Sequence, residues 1–293
     1  MQFGVCMLPE APWEVAGPRW QRGEELGFAH AWTYDHLTWR SFRDAPWYAA
    51  VPTLAAAAMA TSSIRLGTLV ASPNFRHPLV FVKDLLTLDD ICGGRLIAGI
   101  GAGGEGWDAS MLGQPRLSRA ERAVRFAEFV ELTDLLLRQP ATTWKGRYFE
   151  VLEGRTYPGS VQSPRVPLAI AASGPAGMAL AARFGEMWVT TGDPRADRPA
   201  SPEAGAALVG RQISALDEAC LRLGRDPTTL RRLVLAGPAL EAGMGSAEEF
   251  SDTSGRYGAV GVTDFVVHWP RPSDPYQGDL ETFEEIFVTL HGT

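Results

Sequence analysis

Short apolar runs and amphipathic stretches alternate along the whole chain, and this alternation restricts the possible folds more than any other feature. Runs such as "LIAGI", "PLAIAA" and "DFVVHW" are apolar throughout, which is typical of parallel strands covered on both faces. Eight strands are predicted, at residues 2–8, 29–34, 64–70, 95–100, 168–172, 187–190, 230–236 and 264–268. Eight β/α units in 293 residues predict an α/β fold of the (β/α)8 TIM barrel type rather than an open sheet.

We expect a single domain, residues 1–293, with inserted loops at the C-terminal face of the barrel. Residues 141–166 interrupt the alternation, and we predict a small hairpin and loop there, between the fourth helix and the fifth barrel strand. The helix before them lies in residues 118–140. It has a capping box at Ser118 and Glu121, and Pro140 ends it.

The composition is that of an ordinary globular chain, 45% hydrophobic and 21% charged. A formal net charge of −7 argues against nucleic acid or an anionic membrane as the main partner. The opening "MQFGVCMLPE" lacks the pattern of a signal segment, and the apolar run at 51–60 is about half the length of a membrane span. Cys6, Cys92 and Cys220 are far apart, so we expect free thiols and a cytoplasmic protein.

The segment "GIGAGG", residues 99–104, satisfies the G-x-G-x-x-G pattern of a dinucleotide-binding turn. Such a turn requires a helix to begin directly at the third glycine, whereas "EGWDASMLGQPRLS" follows here. In a barrel, the same glycines lie at the carboxyl end of the fourth strand, where they let a flat ring or substrate approach the backbone. We expect this second arrangement and keep an NAD-dependent dehydrogenase as an alternative.

The fifth strand runs into "SGPAGM", and a helix begins at once. Small residues in this turn expose backbone N–H groups, and the helix dipole favours an anion beside them. The turn therefore predicts a phosphate site in the second half of the barrel. In the alternative interpretation, Gly174 and Gly177 only shape a tight turn.

Candidate reactive side chains lie at the other strand ends. His36 follows Asp35 after the second strand and is a candidate for proton transfer or for a hydrogen bond to a cofactor ring. Glu105, in the Gly-rich loop, is a candidate general acid. For both residues the alternative is a structural or solvated side chain. The candidates for lining a substrate pocket are Trp39, Trp47, Trp107, His268 and Trp269.

The sequence offers no other source of chemistry. No group of His, Cys, Asp or Glu residues has the spacing of a metal site, and no G-x-S-x-G motif is present. A phosphate site beside a glycine-lined mouth then predicts that a bound cofactor carries the reaction on a small-molecule substrate.

Six blocks occur in a distinctive order and spacing: "MQFGVCML", "GFAHAWTYDHL", "IRLGTLVASPNFRHP", "GGRLIAGIGAG", "IAASGPAGMALAARFGEMWVTTG" and "VTDFVVHWP". In these blocks the chain resembles the bacterial-luciferase-like oxidoreductases, also called luciferase-like monooxygenases. Members of that family use FMN or the deazaflavin coenzyme F420. The resemblance covers nearly the whole chain and implies the same TIM barrel.

The resemblance also implies roles for particular residues. A non-proline cis peptide, at Leu69-Val70 here, supports the back of the flavin or deazaflavin ring. Backbone N–H groups of the "SGPAGM" turn hold the phosphate, and the next strand end adds contacts. The cofactor-binding residues implied are Asp35, Leu69, Val70, Ser173, Gly174, Ala176, Gly177, Met178, Thr190 and Thr191.

The dipeptide Asp35-His36 favours F420 over FMN, because the resemblance links "DH" at this place to the F420 branch and "EHH" to many FMN-dependent monooxygenases. Some deazaflavin sugar-phosphate dehydrogenases have a catalytic Glu directly after "G-x-G-x-G". Here that place is Gly104, and Glu105 follows one residue later. This departure leaves sugar-phosphate chemistry unassigned.

The function expected is F420-dependent hydride transfer to or from a small organic substrate. One alternative is a reduced-FMN-dependent monooxygenase that works with a separate flavin reductase, and another is a non-catalytic flavin-binding protein. Family members commonly pair through helices near the second and third units, so we expect a homodimer and a reductase that supplies reduced cofactor. The sequence does not identify the substrate.

Overall fold

The computed structural model describes residues 1–237 and 239–291. Eight of its strands run parallel and close into a barrel, in the order β1, β2, β3, β4, β7, β8, β9, β10. Seven of these eight strands fall within their predicted segments and the fourth ends one residue beyond its segment, so the predicted TIM barrel is confirmed. The strands are β1 (Gln2–Met7), β2 (His30–Thr33), β3 (Arg65–Thr68), β4 (Leu96–Gly101), β5 (Ala141–Lys145), β6 (Glu150–Arg155), β7 (Leu168–Ala171), β8 (Met187–Thr190), β9 (Arg231–Leu235) and β10 (Asp264–His268).

Helices surround the barrel and connect its strands. They are α1 (Trp13–Glu25), α2 (Ala50–Ala60), α3 (Pro78–Ile91), α4 (Arg119–Arg138), α5 (Pro175–Phe184), α6 (Pro202–Arg222), α7 (Ala247–Ala259) and α8 (Leu280–His291). The capping box of α4 is present, with Ser118 and Glu121 each accepting a backbone N–H of the other. Prolines begin α3, α5 and α6, where their fixed φ angle suits the first turn.

The strands β5 and β6 form a separate antiparallel pair between α4 and β7. Glu128 of α4 joins this hairpin to the barrel, because its carboxylate accepts hydrogen bonds from the backbone N–H groups of Arg147, Tyr148 and Phe149. The Glu128 carboxylate thus satisfies backbone N–H groups of the hairpin turn that have no partner within the hairpin.

The N-terminal end of the barrel interior is closed by buried polar side chains. The Trp32 indole N–H donates to Nδ1 of His30 at 2.7 Å, so Nε2 of His30 carries the ring proton and donates to Asp264 at 2.9 Å. Arg231 also donates to Asp264. Burial lowers the pKa of His30, which keeps the imidazole neutral in this closed network.

Glycines in β4 allow the close approach of β3. A Cβ at Gly99 would overlap the carbonyl oxygen of Thr68, and one at Gly101 would lie 2.6 Å from Cγ2 of Val70. The next α-helix after "GIGAGG" is α4, which begins only at Arg119. The glycines therefore bring two barrel strands together, and the Rossmann alternative is wrong.

We expect Gly99→Ala to lower the free energy of unfolding by about 3 kcal/mol or more, because the methyl group meets backbone that cannot rotate away. The measurement is chemical denaturation of the two proteins. Gly106→Ala is the matched control, since its φ is −67° and a Cβ there meets nothing within 4 Å. Equal stability of the Gly99→Ala variant and the wild type would contradict the close approach.

Candidate active site

Aromatic side chains fill the barrel mouth, at the C-terminal ends of the strands. The Trp39 ring stacks on three others, at centroid distances of 6.0 Å to Trp47, 6.2 Å to Phe42 and 6.2 Å to Tyr276. Tyr34 meets Trp39 edge-on at 5.1 Å. The structure thus brings the predicted pocket residues Trp39 and Trp47 together in one flat-sided cluster, a surface suited to a planar ligand.

His36 lies beside this cluster and is held from two sides. Its Nδ1 lies 2.5 Å from a carboxylate oxygen of Asp108, and its carbonyl accepts the Trp47 indole N–H at 3.0 Å. The second oxygen of Asp108 accepts the backbone N–H of Leu37. Because a carboxylate is an acceptor, Nδ1 carries the proton, and Nε2 has no hydrogen-bond partner among the described residues.

Asp35 lies next to His36 but points elsewhere. Its buried carboxylate receives two hydrogen bonds from Arg76, at 2.5 Å from Nε and 2.7 Å from Nη2. Arg76 also forms an ion pair with Asp84 of α3. The structure therefore places Asp35 in a bidentate ion pair that fixes the loop after β2 to the loop after β3.

Glu105 and Trp107 lie on the surface of the Gly-rich loop. The Glu105 side chain is 69% exposed and forms an ion pair of 2.9 Å with Arg122. The Trp107 ring lies under the Arg43 guanidinium, 4.0 Å from the centroid. The structure does not bring either side chain into the aromatic cluster.

The peptide bond between Leu69 and Val70 is cis, as the family resemblance implies for this place. Leu69 is buried among the residues of the barrel interior, and Val70 packs against the same group. The chain then continues through Ala71, which pairs with β4. Leu69 and Val70 thus lie in the wall of the mouth between β3 and β4.

The turn between β7 and α5 leaves backbone donors without acceptors. The N–H groups of Ser173, Gly174, Ala176 and Gly177 have no hydrogen-bond partner among the described residues, and no side chain caps the helix. A Cβ on Gly174 would meet nothing within 4 Å. The turn therefore provides an open concavity lined by N–H groups at the positive end of a helix dipole, which is the chemistry of a phosphate site.

Met178 differs from its neighbours in this turn. Its N–H already donates to the Gly174 carbonyl at 3.0 Å as part of α5, and its side chain is buried. Met178 thus has no free backbone donor for a ligand.

Thr190 and Thr191 end β8 beside this turn. The hydroxyl of Thr190 donates to Gln212 of α6 at 2.8 Å and accepts the N–H of Gly192. Thr190 therefore holds the loop after β8, and its side chain is already satisfied. Thr191 is half-buried, and its hydroxyl has no hydrogen bond to any described residue, so it is the available donor of the two.

His268 ends β10 inside the aromatic cluster. It stacks on Tyr276 with a centroid distance of 3.5 Å, and its Nε2 lies 2.9 Å from the hydroxyl of Tyr34. That hydroxyl lies 3.1 Å from the hydroxyl of Tyr276. Burial lowers the pKa of His268 to about 3, a backbone hydrogen bond with Ala236 opposing the effect. Trp269 points to the other side of the strand, where it packs on Phe283 of α8 outside the barrel.

Sequence reasoning missed four residues of the site: Tyr34, Phe42, Asp108 and Tyr276. Tyr34 stands directly before Asp35-His36 in the block "GFAHAWTYDHL", so its place at a strand end is a usable signal. Asp108 and Tyr276 lie in loops without a pattern, and only the fold brings them to His36 and His268.

Metal and membrane features are not found in the described part of the chain. Within residues 1–237 and 239–291, no group of three or more His, Cys, Asp and Glu side chains is arranged to hold a metal ion. Every helix in these ranges is too short or too polar to cross a lipid bilayer. The three cysteines are free and buried.

Comparison with known proteins agrees with this geometry. A family model described as "luciferase-like monooxygenase" matches residues 1–257. The chain therefore belongs to the luciferase-like monooxygenase family, and the predicted resemblance is confirmed. The F420-dependent glucose-6-phosphate dehydrogenase of Beutenbergia cavernae is 34% identical over 220 residues, which cover 72% of this chain and 64% of the relative. The chain spans about half to two thirds of the length of the curated relatives that it matches.

Solved structures share the fold. An F420-dependent secondary alcohol dehydrogenase, solved with an F420-acetone adduct, superposes with a TM-score of 0.80 at 21% identity, over 98% of this chain and 97% of that one. The monooxygenase RslO1 of Streptomyces bottropensis superposes with a TM-score of 0.65 at 26% identity, over 89% and 78% of the two chains. The barrel is thus common to enzymes described with different activities.

The buried His268 makes stability depend on pH. Its pKa of about 3 in the folded protein lies below the value of about 6.5 expected in the unfolded chain, which therefore binds the proton first as the pH falls. The stabilisation is complete above about pH 6.5 and decreases by about 1.4 kcal/mol per pH unit between about pH 6.5 and 3.

We expect the free energy of unfolding to fall between pH 7.5 and pH 5 by about 2 kcal/mol more in the wild type than in His268→Gln. Urea denaturation at the two pH values measures the difference. Equal decreases in both proteins would show that folding does not shift the pKa of His268.

Proposed function

We propose that this chain is an F420-dependent oxidoreductase that transfers a hydride to or from a small organic substrate in the barrel mouth. The observation that carries the proposal is the turn before α5, where four backbone N–H groups have no acceptor among the described residues. A cofactor with a phosphate group fits these donors. The similarity of the chain to F420-dependent enzymes supports F420 as that cofactor.

Residues on different strands around the mouth would contact the phosphate and the ring of such a cofactor. Ser173, Gly174, Ala176 and Gly177 would hold its phosphate, and the Thr191 hydroxyl would add a donor. Leu69 and Val70 would back its ring. When bound, F420 accepts or donates a hydride. The aromatic cluster of Tyr34, Trp39, Phe42, Trp47 and Tyr276 would then hold the substrate and exclude water from the reacting face.

His36 is the residue that we propose for proton transfer. Asp108 fixes the proton on Nδ1, so Nε2 is free to accept a proton from a substrate hydroxyl or to bind the ring system. Asp35 acts through the loop that it ties to Arg76 and is a positioning residue. The geometry favours His36 over Glu105 in this role, because Glu105 is exposed and paired with Arg122.

A second candidate is a monooxygenase that uses reduced FMN supplied by a separate reductase. The similarity to the monooxygenase RslO1 supports this candidate, since both cofactors carry a phosphate and a flat ring system. For either activity we propose a homodimer, a reductase as the source of reduced cofactor, and a cytoplasmic location. The three buried free thiols support a reducing compartment. The hairpin held by Glu128 supports one domain for the described barrel and its insertion.

We expect F420 to bind more tightly than oxidised or reduced FMN in anaerobic fluorescence titrations. In Gly174→Asp, the affinity for F420 falls by about tenfold or more, because a carboxylate then stands where the phosphate binds. The melting temperature does not fall, since Asp is a good N-cap and Gly174 already has extended backbone.

Gly174→Asn is the matched control, with the same size and no charge, and it retains most of the affinity. If Gly174→Asp bound F420 as well as the wild type, the phosphate would lie elsewhere. Preference for reduced FMN would assign the second candidate function instead.

We expect His36→Asn to lower kcat by roughly 100-fold and Asp108→Asn to lower it by about tenfold, because the second change removes only the orientation of the imidazole. The change in F420 absorbance with an alcohol or sugar phosphate that the wild type oxidises measures the rate. Glu105→Gln serves as the control and retains activity. F420 affinity in Asp108→Asn and Glu105→Gln stays within about threefold of the wild type, so loss of binding in Asp108→Asn would contradict the positioning role.

A further inference from the structure

A cavity of about 330 Å³ lies between the loop after β3, the loop before α4 and the hairpin, and no residue of the aromatic cluster lines it. We refer to it as the α4 cavity. Its size is at the lower end of the range for small-molecule sites. Its apolar walls are Pro73, Phe75, Pro115, Leu117 and Phe149, and two arginines, Arg76 and Arg125, also line it.

The two arginines have opposite surroundings. Arg76 forms ion pairs with Asp35 and Asp84, so its charge is compensated. Arg125 of α4 is only 8% exposed and makes no ion pair with any described residue. Its single hydrogen bond runs from Nη2 to the side-chain oxygen of Asn74, at 2.5 Å.

The rest of the Arg125 guanidinium is unused. Nε is buried without a hydrogen-bond partner, and Nη1 has none among the described residues. Glu105 does not compensate the charge of Arg125, because its carboxylate forms an ion pair with Arg122, one helical turn earlier in α4. The hydroxyl of Tyr148, which lines the same cavity, is likewise buried and without a partner.

An arginine stays protonated in a protein, and a buried charge without a counter-ion is costly. Buried arginines are accordingly paired with a carboxylate or with a bound anion. Here the protein supplies a carboxylate to Arg76 and only a neutral amide to Arg125, although both line one cavity. The described residues therefore leave the charge of Arg125 without a counter-charge.

We propose that the α4 cavity binds a small organic anion, with its carboxylate or phosphate group on Arg125 and the Tyr148 hydroxyl and its apolar part against the proline and aromatic walls. The planar guanidinium suits either oxyanion, because two of its N–H groups can bind two oxygens together. This inference does not rest on the proposed function, since the cavity shares no residue with the turn before α5.

Calorimetric titration tests the proposal with three probes: benzoate, phenyl phosphate and inorganic phosphate. The titrations use the Gly174→Asp variant, so that the turn before α5 does not bind the phosphates. We expect benzoate or phenyl phosphate to bind with a Kd of about 1 mM or tighter, and inorganic phosphate more weakly because it has no apolar part. Preference for benzoate assigns a carboxylate ligand, and preference for phenyl phosphate assigns a phosphate ester.

Two substitutions locate the binding. In Tyr148→Phe we expect the ligand-free melting temperature to be unchanged, because the hydroxyl has no partner, and the affinity to fall about tenfold through loss of one hydrogen bond to an anion. In Arg125→Met binding is lost. Arg119→Met, on the exposed first turn of the same helix, removes the same charge and leaves binding unchanged.

The proposal is overturned if none of the probes binds saturably. It is equally overturned if a probe binds with the same affinity in the starting protein, in Tyr148→Phe and in Arg125→Met. Should Arg125→Met not fold, Tyr148→Phe alone decides, because removal of an unpartnered hydroxyl leaves the fold intact.

Discussion

The backbone of β4 passes so close to β3 at Gly99 that any side chain there would overlap the carbonyl oxygen of Thr68. Two residues further along β4, Gly101 likewise leaves space for the side chain of Val70. This contact sets the position of the chain that leaves β3, and with it the wall of the mouth at Leu69 and Val70. A pattern that looks like a nucleotide-binding turn therefore serves strand packing, and the ligand site beside it depends on that packing.

An ion pair and several hydrogen bonds between loops hold the mouth in place. Asp35 and Arg76 join the loops after β2 and β3, while Asp108 reaches from the Gly-rich loop to His36. Asn74 extends this arrangement, because its amide accepts from Arg125 and donates to the carbonyl of Gly104 at 3.1 Å. The Gly-rich loop is thus tied on one side to the candidate proton-transfer residue and on the other to the α4 cavity.

The fold was predictable from the sequence because its signals are local. Apolar runs gave all eight barrel strands, and Ser118 with Glu121 gave the start of α4, since a capping box involves residues one helical turn apart. The turn before α5 was predictable for the same reason, as a strand, a glycine turn and a helix follow each other directly. Within that turn, however, only the structure distinguishes Met178, whose N–H belongs to the helix, from Gly174 and Ala176.

The side-chain chemistry of the site was predictable only in part. His36 was identified by its type and its place after a strand, but Asp108 lies 72 residues away in a loop without a pattern. Glu105, three residues earlier, was the candidate in that loop, and the structure places it at the surface instead. Sequence position near a strand end brings a residue to the mouth, yet which of several acids faces inward depends on how the loop folds back.

The sequence by itself determined the elements of this protein, their order and the parallel barrel that they form, because hydrophobic periodicity and helix capping act over a few residues. The tertiary structure decided which charges are paired. Barrel closure places the half-buried Arg76 and the buried Arg125 beside one cavity and gives carboxylates to Arg76 but none, among the described residues, to Arg125. Such pairing joins residues from separate loops, and the free energy of a buried charge depends on neighbours that only the folded chain brings together.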